Sequence, residues 1–199
     1  MHPNVLRLKV QRSVTDSIVQ TILGYLPSVI RSRFESAFPE WTIPSQLVVK
    51  KVKEKWGEEF DREKAAYAQL EPLQGIVIPK LFGEVRYENT RALLLSDVGG
   101  ACLAMPEGGL LELDDLRRLL NEAFAAFVPF RILQQDSKLD NFHLIGDRIM
   151  CVDLEILGQE PLSDEDLYAN IKCEVNHLVK CYEEHQDCLW KDGYITIAT

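Results

Sequence analysis

Residues 132–155 combine a polar loop with a short hairpin, and the hairpin determines which charged side chains meet. Two apolar runs surround the dipeptide Gly146-Asp147, which is typical of a tight turn between antiparallel strands. Such a turn brings Asp153 back beside Asn141. The sequence therefore predicts one polar site, at which the end of the loop lies next to the end of the second strand.

The side chains of this predicted site have the chemistry that phosphoryl transfer requires. Asp136, Asn141 and Asp153 supply oxygen ligands, and Lys138 supplies a positive charge. Magnesium prefers carboxylate and amide oxygens, and a hydroxyl that attacks a phosphate needs a carboxylate to orient it. The alternative is a surface loop whose polar residues only cap and turn the chain.

Composition limits the classes of partner. The chain has 199 residues, enough for one domain or two small lobes, and a formal net charge of −9. That charge argues against nucleic acid or an anionic membrane as a partner. No run approaches the roughly 18 apolar residues of a membrane span, so the expected location is the cytoplasm.

Cysteine usage also predicts a reducing, cytoplasmic location. The five cysteines are odd in number and include no C-x-x-C pair, so neither a disulfide framework nor a zinc ribbon is expected. We expect most of them to be small buried residues.

The first charged residue of interest lies on a predicted strand. Residues 46–53 are rich in β-branched residues, and alternation places Lys50 on one face between Val48 and Val52. A lysine with apolar neighbours on its own face requires an anionic partner.

The predicted partner lies on the helix that follows, over residues 58–70. Glu63 falls on the apolar stripe of this helix, and Glu59 is the second choice as partner of Lys50. The alternative is that these charges are solvated at the surface. The other members of the stripe are Phe60, Tyr67 and Leu70.

The remaining elements follow from periodicity and turn residues. We predict helices over residues 13–37 and 110–127, a hairpin over 81–96 with a three-residue loop at 88–90, and a helix of about twenty residues that begins near Ser163.

Cysteine and histidine alternate every fourth residue along that last helix. Each step of four residues drifts about 40° around the helix, so four such side chains do not converge on one ion. We therefore expect a partly buried polar stripe and not a zinc site. Its members are Cys173, His177, Cys181 and His185.

The spacing Asp136-x-Lys138-x-x-Asn141, followed by Asp153-Leu154-Glu155, resembles the catalytic loop and metal-binding aspartate of the protein kinase-like superfamily. The likeness is greatest to small fungal kinase-like proteins and to aminoglycoside phosphotransferases. It implies an α+β class and a reduced two-lobed fold, with a small antiparallel sheet in the N-terminal lobe and a short helical C-terminal lobe. The implied divisions are 1–45, a helical extension, 46–100 and 101–199.

The resemblance also implies roles for individual residues. Asp136 would act as the base, Lys138 would neutralise the transferred phosphate, and Asn141 with Asp153 would hold Mg²⁺. Lys50, paired with Glu63, would position ATP. The backbone around Ser96, Asp97 and Val98 would bind adenine at the hinge.

Three features depart from the pattern of that superfamily. No glycine-rich loop precedes Lys50, since Gly24 is the only glycine before Gly57, and Gln134 stands where most kinases carry a histidine. Only 46 residues follow Asp153, which leaves little room for peptide-binding helices.

Three functional hypotheses follow from the resemblance. The first is an ATP- and Mg²⁺-dependent phosphotransferase that acts on a hydroxyl of a small molecule. The alternative is a catalytically weak or inactive pseudokinase that binds a protein partner. The third is a kinase-like pocket that performs non-phosphoryl chemistry, because one scaffold hosts many activities.

Overall fold

The computed structural model describes residues 4–11, 19, 21–23, 25–27, 30, 43–158 and 163–195. The protein is α+β, with small antiparallel sheets and a long C-terminal helix. The chain divides into two compact units. Unit 1 comprises Met1–Val52 and Leu81–Asp97, and unit 2 comprises Lys53–Lys80 and Val98–Thr199.

The secondary structure elements are numbered in chain order. The strands are β1 (Val5–Lys9), β2 (Gln46–Lys51), β3 (Leu81–Tyr87), β4 (Thr90–Ser96), β5 (Ala101–Cys102), β6 (Leu133–Gln134), β7 (Phe142–Ile145), β8 (Arg148–Cys151) and β9 (Leu157–Gly158). The α-helices are α1 (Gly57–Gln69), α2 (Leu113–Ala125) and α3 (Asp164–Lys191). Short 3-10 helices occupy Glu71–Leu73, Pro106–Gly108, Val128–Phe130 and Leu139–Asn141.

Unit 1 contains a four-stranded antiparallel sheet in the order β1-β2-β4-β3. Strand β2 is interior, and Lys50 on it pairs with Val5 on one side and Leu93 on the other. We did not predict β1, although residues 5–9 alternate between apolar and basic. The predicted extension at 1–45 therefore includes a strand of this sheet, whereas most of the predicted helix at 13–37 lies outside the described residues.

The hairpin between β3 and β4 has a tighter turn than we predicted. Its loop is Glu88 and Asn89 alone, because Thr90 already belongs to β4. Both residues have positive φ, 49° and 61°, as in the type I′ turn whose twist matches that of the flanking strands.

Helix α1 of unit 2 begins and ends one residue earlier than predicted. Its buried residues are Phe60, Glu63, Ala66 and Tyr67, which lie on one face because residues three and four apart share a side of an α-helix. A glutamate on this face is almost fully withdrawn from water, at 2% exposure.

Helix α2 provides much of the core of unit 2. It is shorter than the predicted 110–127, because Glu112 is the N-cap and a 3-10 helix at Val128–Phe130 follows. Phe124 of α2 stacks on Phe142 of β7 with ring centroids 5.8 Å apart. This contact holds the helix against the three-stranded sheet β5-β7-β8.

Helix α3 has 28 residues, more than the predicted twenty. The expectation that most cysteines are buried is wrong: Cys151 is buried, Cys102 and Cys181 are half-buried, and Cys173 and Cys188 are exposed. All five thiols are free. None of the described helices has the length and apolar content needed to cross a bilayer.

Replacing Ser163 by alanine tests the start of α3. The Ser163 hydroxyl accepts a hydrogen bond from the backbone N–H of Asp166 at 3.1 Å and donates one to its carboxylate at 2.6 Å. We expect Ser163→Ala to lower the free energy of unfolding by about 0.5–2 kcal/mol, measured by urea titration. Ser163→Thr, which keeps the hydroxyl, should retain most of the stability, and equal losses in both variants would contradict the cap.

Candidate functional site

The polar loop starts at β6, which pairs with β9 in an antiparallel arrangement. Gln134 is opposite Leu157, and the N–H of Gln135 donates to the carbonyl of Ile156 at 3.2 Å. The chain therefore returns to the start of the loop after it has formed the hairpin. This pairing fixes both ends of the candidate site within unit 2.

Asp136 is held by two neighbouring donors. The Lys138 ammonium lies 2.7 Å from its Oδ1 and 3.1 Å from its Oδ2. The Asn141 amide donates to the same Oδ2 and to the backbone carbonyl of Asp136, both at 2.9 Å. The hydrogen bond to Asp136 raises the pKa of Lys138 above its usual value, so this side chain stays cationic at neutral pH.

Asn141 and Asp153 are brought together by the predicted hairpin. Strands β7 and β8 pair Phe142 with Cys151, and the N–H of Val152 donates to the Asn141 carbonyl at 2.9 Å beyond that pair. The side-chain nitrogen of Asn141 donates to Asp136, so its Oδ1 is the atom that can serve as a metal ligand. The structure confirms the hairpin that the sequence predicts. Its second strand, β8, ends at Cys151, two residues before Asp153.

Asp153 is held in place through its backbone and its side chain. Its carbonyl accepts a hydrogen bond from the Gln134 amide at 2.7 Å, and its Oδ1 accepts one from the N–H of Glu155 at 2.9 Å. Gln134 is fully buried. Gln134 therefore connects the start of the loop to Asp153.

Asp153 and two glutamates form a cluster of three carboxylates. Ligand oxygens of Glu63, Asp153 and Glu155 all lie within 4.8 Å of one another. The Lys53 ammonium is 2.5 Å from Glu155 and 4.7 Å from the centre of the Trp56 ring. Sequence reasoning missed Lys53, because 102 residues separate it from its partner and no local pattern links the two.

Tyr67 lies close to this carboxylate cluster. The side chain is fully buried, and its hydroxyl has no hydrogen-bond partner among the described residues. Burial raises the pKa of Tyr67 well above its usual value, and the charges of Glu63, Cys151 and Asp153 raise it further. The phenol is therefore neutral and offers a donor that the described part of the chain does not use.

The residues predicted to bind the nucleotide divide between the two units. Lys50 is 6% exposed on β2 of unit 1, where Asp97 pairs with Arg7 at 3.2 Å and Ser96 ends β4. Val98 belongs to unit 2. The predicted Lys50–Glu63 ion pair and the adenine-binding backbone involve both units and stay predictions.

A cavity of about 530 Å³ lies elsewhere in unit 2. It is bordered by α1 and by the segment after Asp153, with Trp56, Arg62, Gln135 and Glu155 among its lining residues. Of the cluster residues, Glu155 alone lines it. Asp136 and Asn141 do not line this cavity, so it is distinct from the loop-and-hairpin site.

Comparison with models of known protein families and with curated proteins finds no match for this chain.

Two buried tyrosines allow a test of the unpartnered hydroxyl. The Tyr182 hydroxyl accepts from the N–H of Leu111 at 2.8 Å and donates to the Gly108 carbonyl at 2.7 Å. We expect Tyr182→Phe to cost about 1–3 kcal/mol of unfolding free energy, because two backbone groups lose a partner. Tyr67→Phe should leave stability unchanged or raise it by about 1 kcal/mol.

Urea unfolding of the metal-free protein checks this prediction. Tyr182 serves as the matched control, since both side chains are fully buried. A loss of stability in Tyr67→Phe as large as that in Tyr182→Phe would show that the Tyr67 hydroxyl makes an interaction in the folded protein.

Proposed function

We propose that this protein is an ATP- and Mg²⁺-dependent phosphotransferase of the kinase-like type that transfers the γ-phosphate to a hydroxyl of a small molecule. The observation that carries the proposal is the arrangement of Asp136, Lys138 and Asn141. The lysine and the amide both bond the same carboxylate, and Asp153 follows two residues after β8, beside Asn141. A loop that only turns the chain does not require this convergence.

In the proposed reaction Asp136 accepts the proton of the substrate hydroxyl. Two donors hold its carboxylate in one orientation, as a group that positions a nucleophile requires. Lys138 is exposed, and its ammonium is close enough to the carboxylate to place positive charge next to the transferred phosphate. The rate gain comes mainly from positioning and charge stabilisation, as in phosphoryl transfer generally.

The donor set fits Mg²⁺. Asn141 offers an amide oxygen and Asp153 a carboxylate, which are hard ligands of the kind that Mg²⁺ shares with phosphate oxygens. When bound, the ion supplies positive charge that neutralises the phosphates. Asn141 is 8% exposed and Asp153 is half-buried, so water is partly excluded from the pair and charge interactions there are strengthened.

The architecture of each unit supports a reduced kinase-like fold. Unit 1 is a small antiparallel sheet with a buried lysine on an interior strand, and unit 2 contains the loop, the hairpin and the helices α2 and α3. This is the order of elements that the superfamily implies. Lys50 and Glu63 would position ATP, with the backbone at 96–98 binding adenine.

Aspartate-to-asparagine variants test the proposal. We expect Asp136→Asn to lower the rate of Mg-ATP-dependent phosphate transfer by about 10²–10⁴-fold, because the amide cannot accept the proton. Asp153→Asn should abolish the Mg-ATP-dependent thermal shift, and Lys50→Ala should weaken it. The measurements are differential scanning fluorimetry and release of ADP in the presence of a panel of small alcohols.

Asp140→Asn is the matched control. Asp140 is an exposed carboxylate in the same 3-10 helix as Asn141, and its replacement should change neither readout. If the parent protein shows no Mg-ATP-dependent thermal shift and Asp153→Asn behaves like it, the phosphotransferase proposal is wrong.

The second candidate is a pseudokinase that acts as an interaction module. Strand β1 pairs directly with the lysine-bearing β2, but residues 10–45 between these strands contain one glycine. A kinase covers the nucleotide phosphates with a glycine-rich loop, so this connection favours weak nucleotide binding. A specific protein captured by the intact chain, together with no phosphate transfer to any acceptor, would select this candidate.

A further inference from the structure

We propose that Glu63, Asp153 and Glu155 of unit 2 form a binding site for a hard divalent cation, with the Tyr67 hydroxyl facing the water shell of the ion. This site requires no nucleotide; it shares Asp153 with the proposed Mg²⁺ ligands and Glu63 with the predicted Lys50 ion pair. The proposal therefore goes beyond the proposed function and does not depend on it.

The spacing of the ligand atoms fits a cation of this class. One oxygen from each carboxylate lies within 4.8 Å of the other two. Two oxygens on opposite sides of a Ca²⁺ ion are about 4.6–5.2 Å apart, and those around Mg²⁺ about 4.0–4.2 Å. The three oxygens therefore lie within the range of separations that ligands of Ca²⁺ span, whereas Mg²⁺ requires opposite ligands to be closer than this 4.8 Å limit.

The negative charge of the cluster also favours binding of a divalent cation. Three carboxylates this close repel one another, and Glu63 is 2% exposed, so water screens its charge poorly. The Lys53 ammonium contributes one positive charge at Glu155. A divalent ion would contact all three carboxylates at once.

Tyr67 provides a second observation in favour of a cation site, independent of the spacing of the carboxylates. It lies one turn after Glu63 on the buried face of α1, and its hydroxyl has no hydrogen-bond partner among the described residues. Glu63 and Asp153 are close enough for their charges to act on this phenol, so the side chain lies near two of the three carboxylates. A buried donor that contacts neither carboxylate is satisfied when a metal-bound water occupies the intervening position.

The ligand atoms select the class of ion. All three are carboxylate oxygens, which favour Ca²⁺, Mg²⁺ and Mn²⁺ over softer metals. Cys151 is nearby, but its thiol is 3.2 Å from the Asp153 carbonyl and is not one of the three ligands. Lys53 competes with the ion for Glu155, so its removal should strengthen binding.

Titration of the full-length protein with Mn²⁺ in the absence of nucleotide tests the proposal. Electron paramagnetic resonance measures free Mn²⁺, and Ca²⁺ and Mg²⁺ serve as competitors. We expect one bound ion per chain and at least tenfold weaker binding in Glu63→Gln and in Glu155→Gln. Tyr67→Phe should weaken binding by about two- to tenfold, and Lys53→Met should tighten it.

Glu59→Gln is the matched control, because Glu59 lies on the same helix one turn before Glu63 and outside the cluster. Circular dichroism and urea unfolding establish that each variant folds. Absence of Mn²⁺ binding in both the parent and Lys53→Met would overturn the proposal, as would equal affinity in the parent, Glu63→Gln and Glu155→Gln.

Asn141→Ala distinguishes this site from the proposed catalytic one. It should lose Mg-ATP-dependent phosphate transfer but retain nucleotide-free Mn²⁺ binding, whereas Asp153→Asn should lower both. If phosphate transfer is absent but Mn²⁺ binds with this pattern, the cation site stands and the phosphotransferase proposal fails. If transfer occurs but Mn²⁺ does not bind without nucleotide, the phosphotransferase proposal stands and the cation-site proposal fails.

Discussion

The hydrogen bond from the buried Gln134 amide to the carbonyl of Asp153 is the contact on which the candidate site depends. It links Gln134, the last residue of β6, to Asp153, which lies two residues beyond β8 and 19 positions later in the chain. Inside a protein such a bond is costly to lose, because the carbonyl would keep only the Cys151 thiol, a weaker donor, as its partner. Gln134 thus connects β6 to Asp153 through a neutral amide.

The loop and the carboxylate cluster use Asp153 in different ways. On one side, Asn141 carries its amide next to Asp136, and the end of the hairpin places Asp153 beside it. On the other side, Glu63 and Glu155 bring two further carboxylates within 4.8 Å. Asp153 is therefore common to both groups of polar side chains, and its carbonyl is held by the Gln134 amide.

Much of the local structure was predictable because it depends on residues that are near in sequence. The Gly146-Asp147 turn, the stripe that places Glu63 on the buried face of α1, and the acidic start of α3 all follow from period and turn chemistry. Element ends were less predictable. The limits of α2 depend on whether Glu112 and the residues before Pro129 join the helix, which local propensity leaves nearly balanced.

The sequence by itself determined the hairpin after the polar loop and the charged residues of that segment, because alternation and turn residues act over a few positions, whereas the α+β class was expected from the family resemblance. Only the tertiary structure decided that Lys53 pairs with Glu155, that β1 joins the sheet of unit 1, and that Tyr67 is buried near Glu63 and Asp153. These contacts join residues tens to about a hundred positions apart. Their formation depends on how whole elements pack, and no local pattern encodes that.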